Sequence, residues 1–295
     1  MRVAIITNIN KPKVRPALAD LIPWVRQRVQ VLGEETDTPL DLDKLDVDSV
    51  LVFGGDGTLL STARRLKGRR IPLMGVNFGR LGFLASFSPE QFVQYFDAFV
   101  QGKLPISSRM QLEASVIDAD VPCKLTDNAE VAEKRRFFST ALNDAVIAAG
   151  PPFRMIELVL GTDHDAGVRF LGDGLIVATP SGSTAYNVSA GGPILSPNVD
   201  AICVTPLCPH SLSFRPIVVG SQSKVMLVAK RVNKGTTLFC DGQANAALHI
   251  GDRIVVRKSP SDVLLVENPD AREWRTLAEK LNWAAGPRYN GPAAK

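Results

Sequence analysis

Cysteine is scarce in this 295-residue chain and never sits at metal-binding spacing: Cys123, Cys203, Cys208 and Cys240 form no C-x-x-C pair. The three histidines, His164, His210 and His249, lie far apart. A structural zinc site is therefore not expected, and the cysteines read as small buried hydrophobes kept reduced in the cytosol. No apolar run approaches the ~20 residues of a membrane helix, and the first one, Val3 to Ile6, is too short for a signal-peptide core. The expectation is a cytoplasmic protein with no membrane partner. Internal repeats and low-complexity segments are also missing, which excludes solenoids and propellers. The charge surplus is small: 34 Lys and Arg against 30 Asp and Glu leave a net +4. The basic clusters Arg64-Arg65, Lys67 to Arg70 and Lys134 to Arg136 are short, and no nucleic-acid-binding motif accompanies them. An anionic small molecule suits this balance, and nucleic acid is not expected as a partner.

What remains is an ordinary globular composition, 45% hydrophobic and 22% charged, in a chain long enough for two domains sharing a cleft. The first hundred residues alternate strand-like and helix-like segments: "RVAIIT", "RPALADLIPWVRQRVQVL", "SVLVF", "TLLSTARRL", "IPLMGVN" and "PEQFVQYFDAFVQG". That order predicts an α/β domain with a parallel sheet and helices on its faces. Between Thr7 and Val50, "EETDTPLDLDKLDVD" stands where a clear second strand would be expected. From Gln111 the texture changes to ten short Val-, Ile- and Leu-rich runs broken by Gly, Pro and Asp, from "QLEASVID" to "DVLLVEN". They predict a mostly antiparallel, all-β second domain, a sandwich or related double sheet. "AREWRTLAEKLNWA", after Pro269, returns to helical periodicity and is expected to pack back on the first domain. The boundaries read as 1–107 completed by 265–295, with 108–264 as the β-rich domain.

The chemistry concentrates in "SVLVFGGDGTLLSTARR", Ser49 to Arg65, where a buried strand runs into three glycines, an aspartate and a threonine. Glycines let backbone N–H groups approach phosphate oxygens, and a following helix points its positive end at the same place. Gly54, Gly55, Gly57 and Thr58 are thus candidates for a phosphate-binding loop. It is neither a G-x-x-x-x-G-K-[ST] loop, absent from the chain, nor G-x-G-x-x-G, since Leu60 takes the last glycine's place. Asp56 is a poor phosphate binder because like charges repel. Two roles fit it: accepting the proton of a hydroxyl that attacks a phosphoryl group, or holding the magnesium that neutralises the donor. Either makes this a kinase loop.

Further motifs follow: "GVNFGRLGFL" at Gly75 to Leu84, "ALNDAVI" at Ala141 to Ile147, "DGLIVATPSGSTAYNVSAGGPIL" at Asp173 to Leu195, "PHSLSFRPIVV" at Pro209 to Val219 and "DGQ" at Asp241 to Gln243. With "GGDGT", this ordered set resembles the NAD kinase family, which phosphorylates NAD to NADP. The resemblance implies that Asp56 is the base for the adenosine ribose 2′-hydroxyl and that ATP, or polyphosphate, is the donor with Mg²⁺. It makes 1–107 the phosphate-donor domain and 108–264 the dinucleotide-binding domain. NAD contacts would come from Asp56, Gly57, Asn77, Asn143, Asp144, Arg154, Asp173, His210 and Gln243. The stretch Thr184, Ala185, Tyr186, Asn187, Val188 and Ser189 would join them. Asn143 and Asp144 suit a base edge and vicinal hydroxyls, since an amide donates and accepts while a carboxylate accepts from two donors. A homodimer or homotetramer is implied, with neighbours completing the dinucleotide site. One departure stands out: many bacterial members carry arginine two residues before the position of Asp173, and this chain has Leu171. The rival readings are a lipid or sphingoid-base kinase sharing the glycine loop and a non-catalytic NADP-binding sensor.

Overall fold

In the computed structural model, residues 1–7, 14–35, 39–79, 82–163 and 165–283 are described. Six strands make the first sheet, in the order Gln30–Glu34, Arg2–Thr7, Ser49–Phe53, Leu73–Val76, Val263–Val266 and Ile106–Arg109. All neighbours are parallel except the last pair, an antiparallel edge. Parallel strands need both faces covered, and every residue of Ser49–Phe53 is buried. Its side chains alternate between two cores: Val50 and Val52 join Leu59, Leu60 and Ala63 of the Asp56–Arg65 helix. Leu51 and Phe53 join Phe92, Phe96 and Phe99 of the Pro89–Val100 helix. Those phenylalanines recur at one-turn spacing, and a Ser88/Gln91 capping box starts their helix.

Two six-stranded antiparallel sheets form the rest. One runs Asp165–Gly172, Ile156–Thr162, Val225–Arg231, Arg253–Lys258, Leu112–Ile117, Phe137–Ala141. The other runs Ile217–Gly220, Ala201–Leu207, Gly174–Ala178, Asp144–Ala148, Thr237–Cys240, Ala244–Ala247. One hydrophobic cluster, with Leu112, Val116, Ile147, Phe170, Leu175, Val204 and Leu227, fills the space between them. The expected double sheet is therefore present.

Several elements depart from the sequence reading. The helix expected to reach Leu32 stops at Arg26, and Gln30–Glu34 becomes the second parallel strand, paired with Arg2–Thr7. An apolar run alone does not distinguish helix from strand; the partner strand decides. "VRFLGDGLIVATP" is not one strand: it breaks at Asp173 and feeds both antiparallel sheets. "ALNDAVIA" likewise spans the end of one strand and the start of another. "DVLLVEN" returns to the first sheet, beside Leu73–Val76. A seven-residue helix, Asn128–Lys134, capped by Asp127, lies where none was expected. The C-terminal helix spans Glu273–Leu281, and its Lys280 reaches Phe83 of the first domain, as expected of a helix folding back. Among the described residues no helix is long and apolar enough to cross a membrane.

Candidate active site

The glycine loop follows the Ser49–Phe53 strand and opens the Asp56–Arg65 helix, whose N-cap, Gly55, supplies no side-chain cap. This is the carboxyl end of a central parallel strand, where ligands of such sheets dock. Asp56 sits in the first helical turn, but its carboxylate faces a neighbouring loop. Oδ2 accepts the Phe83 N–H at 2.8 Å, and Oδ1 accepts those of Ala85 at 2.9 Å and Leu84 at 3.3 Å. An ionised carboxylate offers about four acceptor directions. Three are occupied here, two on Oδ1 and one on Oδ2, so the open one is on Oδ2. Gly82 makes the clamp possible, because a Cβ there would stand 1.7 Å from Asp56 Oδ1. Among the described residues a Cβ on Gly57 would meet only Gln243 Nε2, at 3.7 Å, and nothing else crowds the space above Gly57.

The second domain supplies a cavity of about 390 Å³ lined by Asn143, Asp144, Val146, Ala185, Tyr186 and Phe239, among others. Asp144, Val146 and Ala148 alternate along one strand and present one face to it. Asp241 organises its polar end: the carboxylate accepts the N–H groups of Leu142 (3.0 Å), Asn143 (2.7 Å) and Asp144 (3.3 Å). Asp241 occupies a left-handed backbone conformation, φ 52°, in the tight turn Cys240 to Gln243. Burial, then the neighbouring Asp241 charge, pushes the Asp144 pKa up to about 7. Asp241 also titrates above the usual carboxylate range because it is buried, an effect opposed by its three N–H donors and Arg64.

Gln243 joins this cavity to the glycine loop. Its Nε2 donates to the Gly57 carbonyl and its Oε1 accepts from Arg64 Nη2, both at 2.8 Å. The side chain expected to touch NAD is therefore engaged in a bridge between the domains. Arg64 Nη1 is buried and makes no hydrogen bond among the described residues.

The other expected residues separate into groups. Asn143, Asp144, Ala185 and Tyr186 line the cavity together. Thr184 lines a second cavity, between the domains. Asn187 is fully buried and spent on the fold: Nδ2 donates to Ser183 O and Pro193 O, while Oδ1 accepts the Thr205 hydroxyl at 2.6 Å. Val188 is half-buried and Ser189 exposed on the same short helix. Asn77, buried after the Leu73–Val76 strand, accepts the Gly79 N–H at 3.1 Å. Arg154, Asp173 and His210 are exposed and line neither cavity. They lie toward the opposite end of the Asp144–Ala148 strand: Gly174, next to Asp173, pairs with Ala148, and Ala178 pairs with Asp144. At about 3.4 Å per residue these ends are roughly 14 Å apart. The Cys208 thiol pairs with the Asp173 carboxylate there, which raises the thiol's pKa. The His210 N–H donates to Leu171 O at 2.9 Å, and the Arg154 carbonyl accepts from Asn233.

Among the described residues no group of three or more His, Cys, Asp or Glu side chains is placed to hold a metal ion. Sequence reasoning overlooked Asp241, although its Asp-Gly pair is a turn signal. It met Phe83 and Leu84 only within "GVNFGRLGFL" and Arg64 only within a basic cluster, and gave none of them a role beside Asp56 or Gln243.

Comparison with known proteins places this arrangement among relatives. A family model described as the ATP-NAD kinase N-terminal domain matches residues 4–104, and the ATP-NAD kinase C-terminal domain matches residues 142–268. The chain is 35% identical over 283 residues to an NAD kinase of Rhodopirellula baltica, covering 96% of this chain and 87% of that protein. With an NAD kinase of Desulforamulus reducens it shares 36% over 296 residues, covering 96% and 98%. A crystal structure of yeast NADH kinase complexed with NADH has the same fold, with TM-score 0.84, 24% identity and coverage of 99% and 90%. An NAD kinase from Archaeoglobus fulgidus in complex with ATP superposes with TM-score 0.72, 26% identity and coverage of 96% and 99%.

Proposed function

Because the chain belongs to the NAD kinase family, we propose that it transfers the terminal phosphoryl group of ATP to the adenosine ribose 2′-hydroxyl of NAD, giving NADP, with Asp56 as the proton acceptor. The observation carrying this reading is the Asp56 clamp, coupled through Gln243 to a nucleoside-sized cavity. Three amides fix the carboxylate and leave one acceptor direction on Oδ2 for a hydroxyl. As the 2′-oxygen bonds to the terminal phosphorus, its proton passes to Oδ2 and the bond from that phosphorus to the bridging oxygen breaks, releasing ADP. A positioned base typically contributes ~10² to 10⁴ in rate, and orientation supplies much of the rest.

The adenosine half occupies the 390 Å³ cavity, with Asn143 on the base edge and ionised Asp144 on ribose hydroxyls. An extended dinucleotide running along the Asp144–Ala148 strand carries its nicotinamide half toward Asp173, Arg154 and His210. Mg²⁺ is the expected cation. It would bind chiefly through the substrate phosphates, whose charge it would neutralise. The expected site is cytoplasmic. Exposed Phe153, Leu212, Ile217 and Val218 support a homodimer or homotetramer.

Incubating the full-length protein with NAD, ATP and Mg²⁺ should yield NADP, detected with an NADP-specific dehydrogenase. Inorganic polyphosphate replaces ATP in a parallel reaction, and diacylglycerol replaces NAD in a third. No NADP with either donor overturns the proposal, as does preferential labelling of the lipid.

A further inference from the structure

The larger cavity, about 650 Å³, lies between the Asp56 clamp, the Pro180–Thr184 turn and the C-terminal helix. Gly82, Phe83 and Leu84 form one wall, and the Phe83 and Leu84 amides hold Asp56 from the same segment. Ser181 and Thr184 bring hydroxyls to a second wall. The size suits a nucleotide, for small-molecule sites commonly run from about 300 to 1,000 Å³.

Its cations are not equivalent. Arg109 is paired with Glu267 at 2.7 Å, and Arg275 with Glu279 at 2.7 Å. Arg272 donates to the Pro269 and Ala271 carbonyls. Lys280 is different: half-buried, it makes no hydrogen bond or ion pair among the described residues, and its Nζ stands 5.1 Å from the centre of the Phe83 ring. Phe83 is itself a donor to Asp56, so this ammonium belongs to the neighbourhood of the proposed base. Burial pushes the Lys280 pKa down, while the Asp56 charge favours the ammonium. A half-buried ammonium with no hydrogen-bonding partner among the described residues gains when an anion joins it.

We propose that the C-terminal helix completes the phosphoryl-donor site, with Lys280 binding the polyphosphate of the donor across the interdomain cavity. The inference rests on the kinase reading and adds a donor ligand to it. Lys280 then has two tasks. Its charge is balanced when donor phosphates enter, and it stabilises the negative charge that shifts toward the departing diphosphate as the terminal phosphorus moves to the acceptor oxygen. With Arg109 and Arg275 ion-paired and Arg272 turned onto backbone carbonyls, this role falls to the lysine. Ammonium chemistry selects phosphate and not the adenine, so ATP and inorganic polyphosphate are recognised by the same contact.

The test compares wild-type, Lys280→Met and Lys280→Arg proteins at full length. Lys280→Met is expected to raise KM for ATP about ten-fold or more, the scale of one charge-assisted hydrogen bond. It should also lower kcat while leaving the dissociation constant for NAD within about two-fold. Lys280→Arg should recover most of the loss, and polyphosphate-driven turnover should suffer equally. Calorimetric titration with a non-hydrolysable ATP analogue gives a readout independent of the acceptor: binding weakened by Lys280→Met supports the inference even if NAD proves not to be the acceptor. Unchanged ATP kinetics and unchanged analogue binding in Lys280→Met overturn it. Loss of melting temperature without a donor-specific effect, or failure of the wild type to bind the analogue, overturns it equally.

Discussion

At the scale of single residues, Asp144 and Gly82 carry the sharpest consequences. Asp144 is buried beside Asp241, and its carboxyl titrates near 7 in the fold against 3.8 ordinarily. A raised carboxyl pKa means the folded protein holds the proton more tightly than the unfolded chain. The stability this contributes is complete below pH ~4 and is lost as pH rises through ~7, at about 1.4 kcal/mol per pKa unit. Ligand-free protein should therefore melt at lower temperature at pH 8 than at pH 6, and Asp144→Asn should flatten that dependence in calorimetric scans. NAD affinity should move the opposite way, because ribose hydroxyls need the ionised acceptor: wild-type affinity rises from pH 6 to 8, while Asp144→Asn binds weakly throughout. Gly82 acts by what it lacks. Gly82→Ala would drive a methyl into Asp56 Oδ1, and displacing a reacting group by about 1 Å can cost ~10² in rate. Steady-state kinetics should show kcat falling on that scale, with KM for NAD nearly constant.

At the scale of elements, the Cys240–Gln243 turn fastens two domains. Asp241 holds the 142–144 amides on one side, while Gln243 holds Gly57 and Arg64 on the other. Gln243→Leu removes both interdomain bonds and leaves the Gly57 carbonyl and the Arg64 guanidinium short of a partner. It should lower stability by about 1–3 kcal/mol in denaturant titrations and reduce kcat about ten-fold. Much of this was legible in sequence. "SVLVF" predicted a buried strand, and "GGDGT" and "ALNDAVI" now frame the Asp56 clamp and the second domain's cavity. "DGQ" was legible only as a ligand contact, because a sequence does not reveal that its glutamine faces another domain. Asp173 hid a strand break, since strand-like apolar sequence continues on both sides of it. Lys280 was invisible in principle: "AREWRTLAEKLNWA" is an ordinary amphipathic helix until it folds against Phe83.

At the scale of the whole molecule, the groups of the proposed site come from segments far apart in the chain. The first sheet gives Asp56, and the antiparallel double sheet gives Asn143 and Asp144. The chain's return through Val263–Val266 brings the C-terminal helix over the cleft between them. Arg154, Asp173 and His210, at the far end of the cavity strand, share that region with exposed apolar side chains, including Leu212 at 88% exposure. Light scattering should give a mass that is a multiple of 31.9 kDa, and Leu212→Asp should lower it if this face joins neighbouring subunits. In the proposed function all of these arrangements serve one transfer centred on Asp56. Its direct measurement is Asp56→Asn, with NAD binding and turnover determined on the same preparation. NAD should bind within a few-fold of wild type while turnover falls by ~10² to 10⁴; turnover retained at the wild-type rate would contradict the assignment of Asp56 as the base.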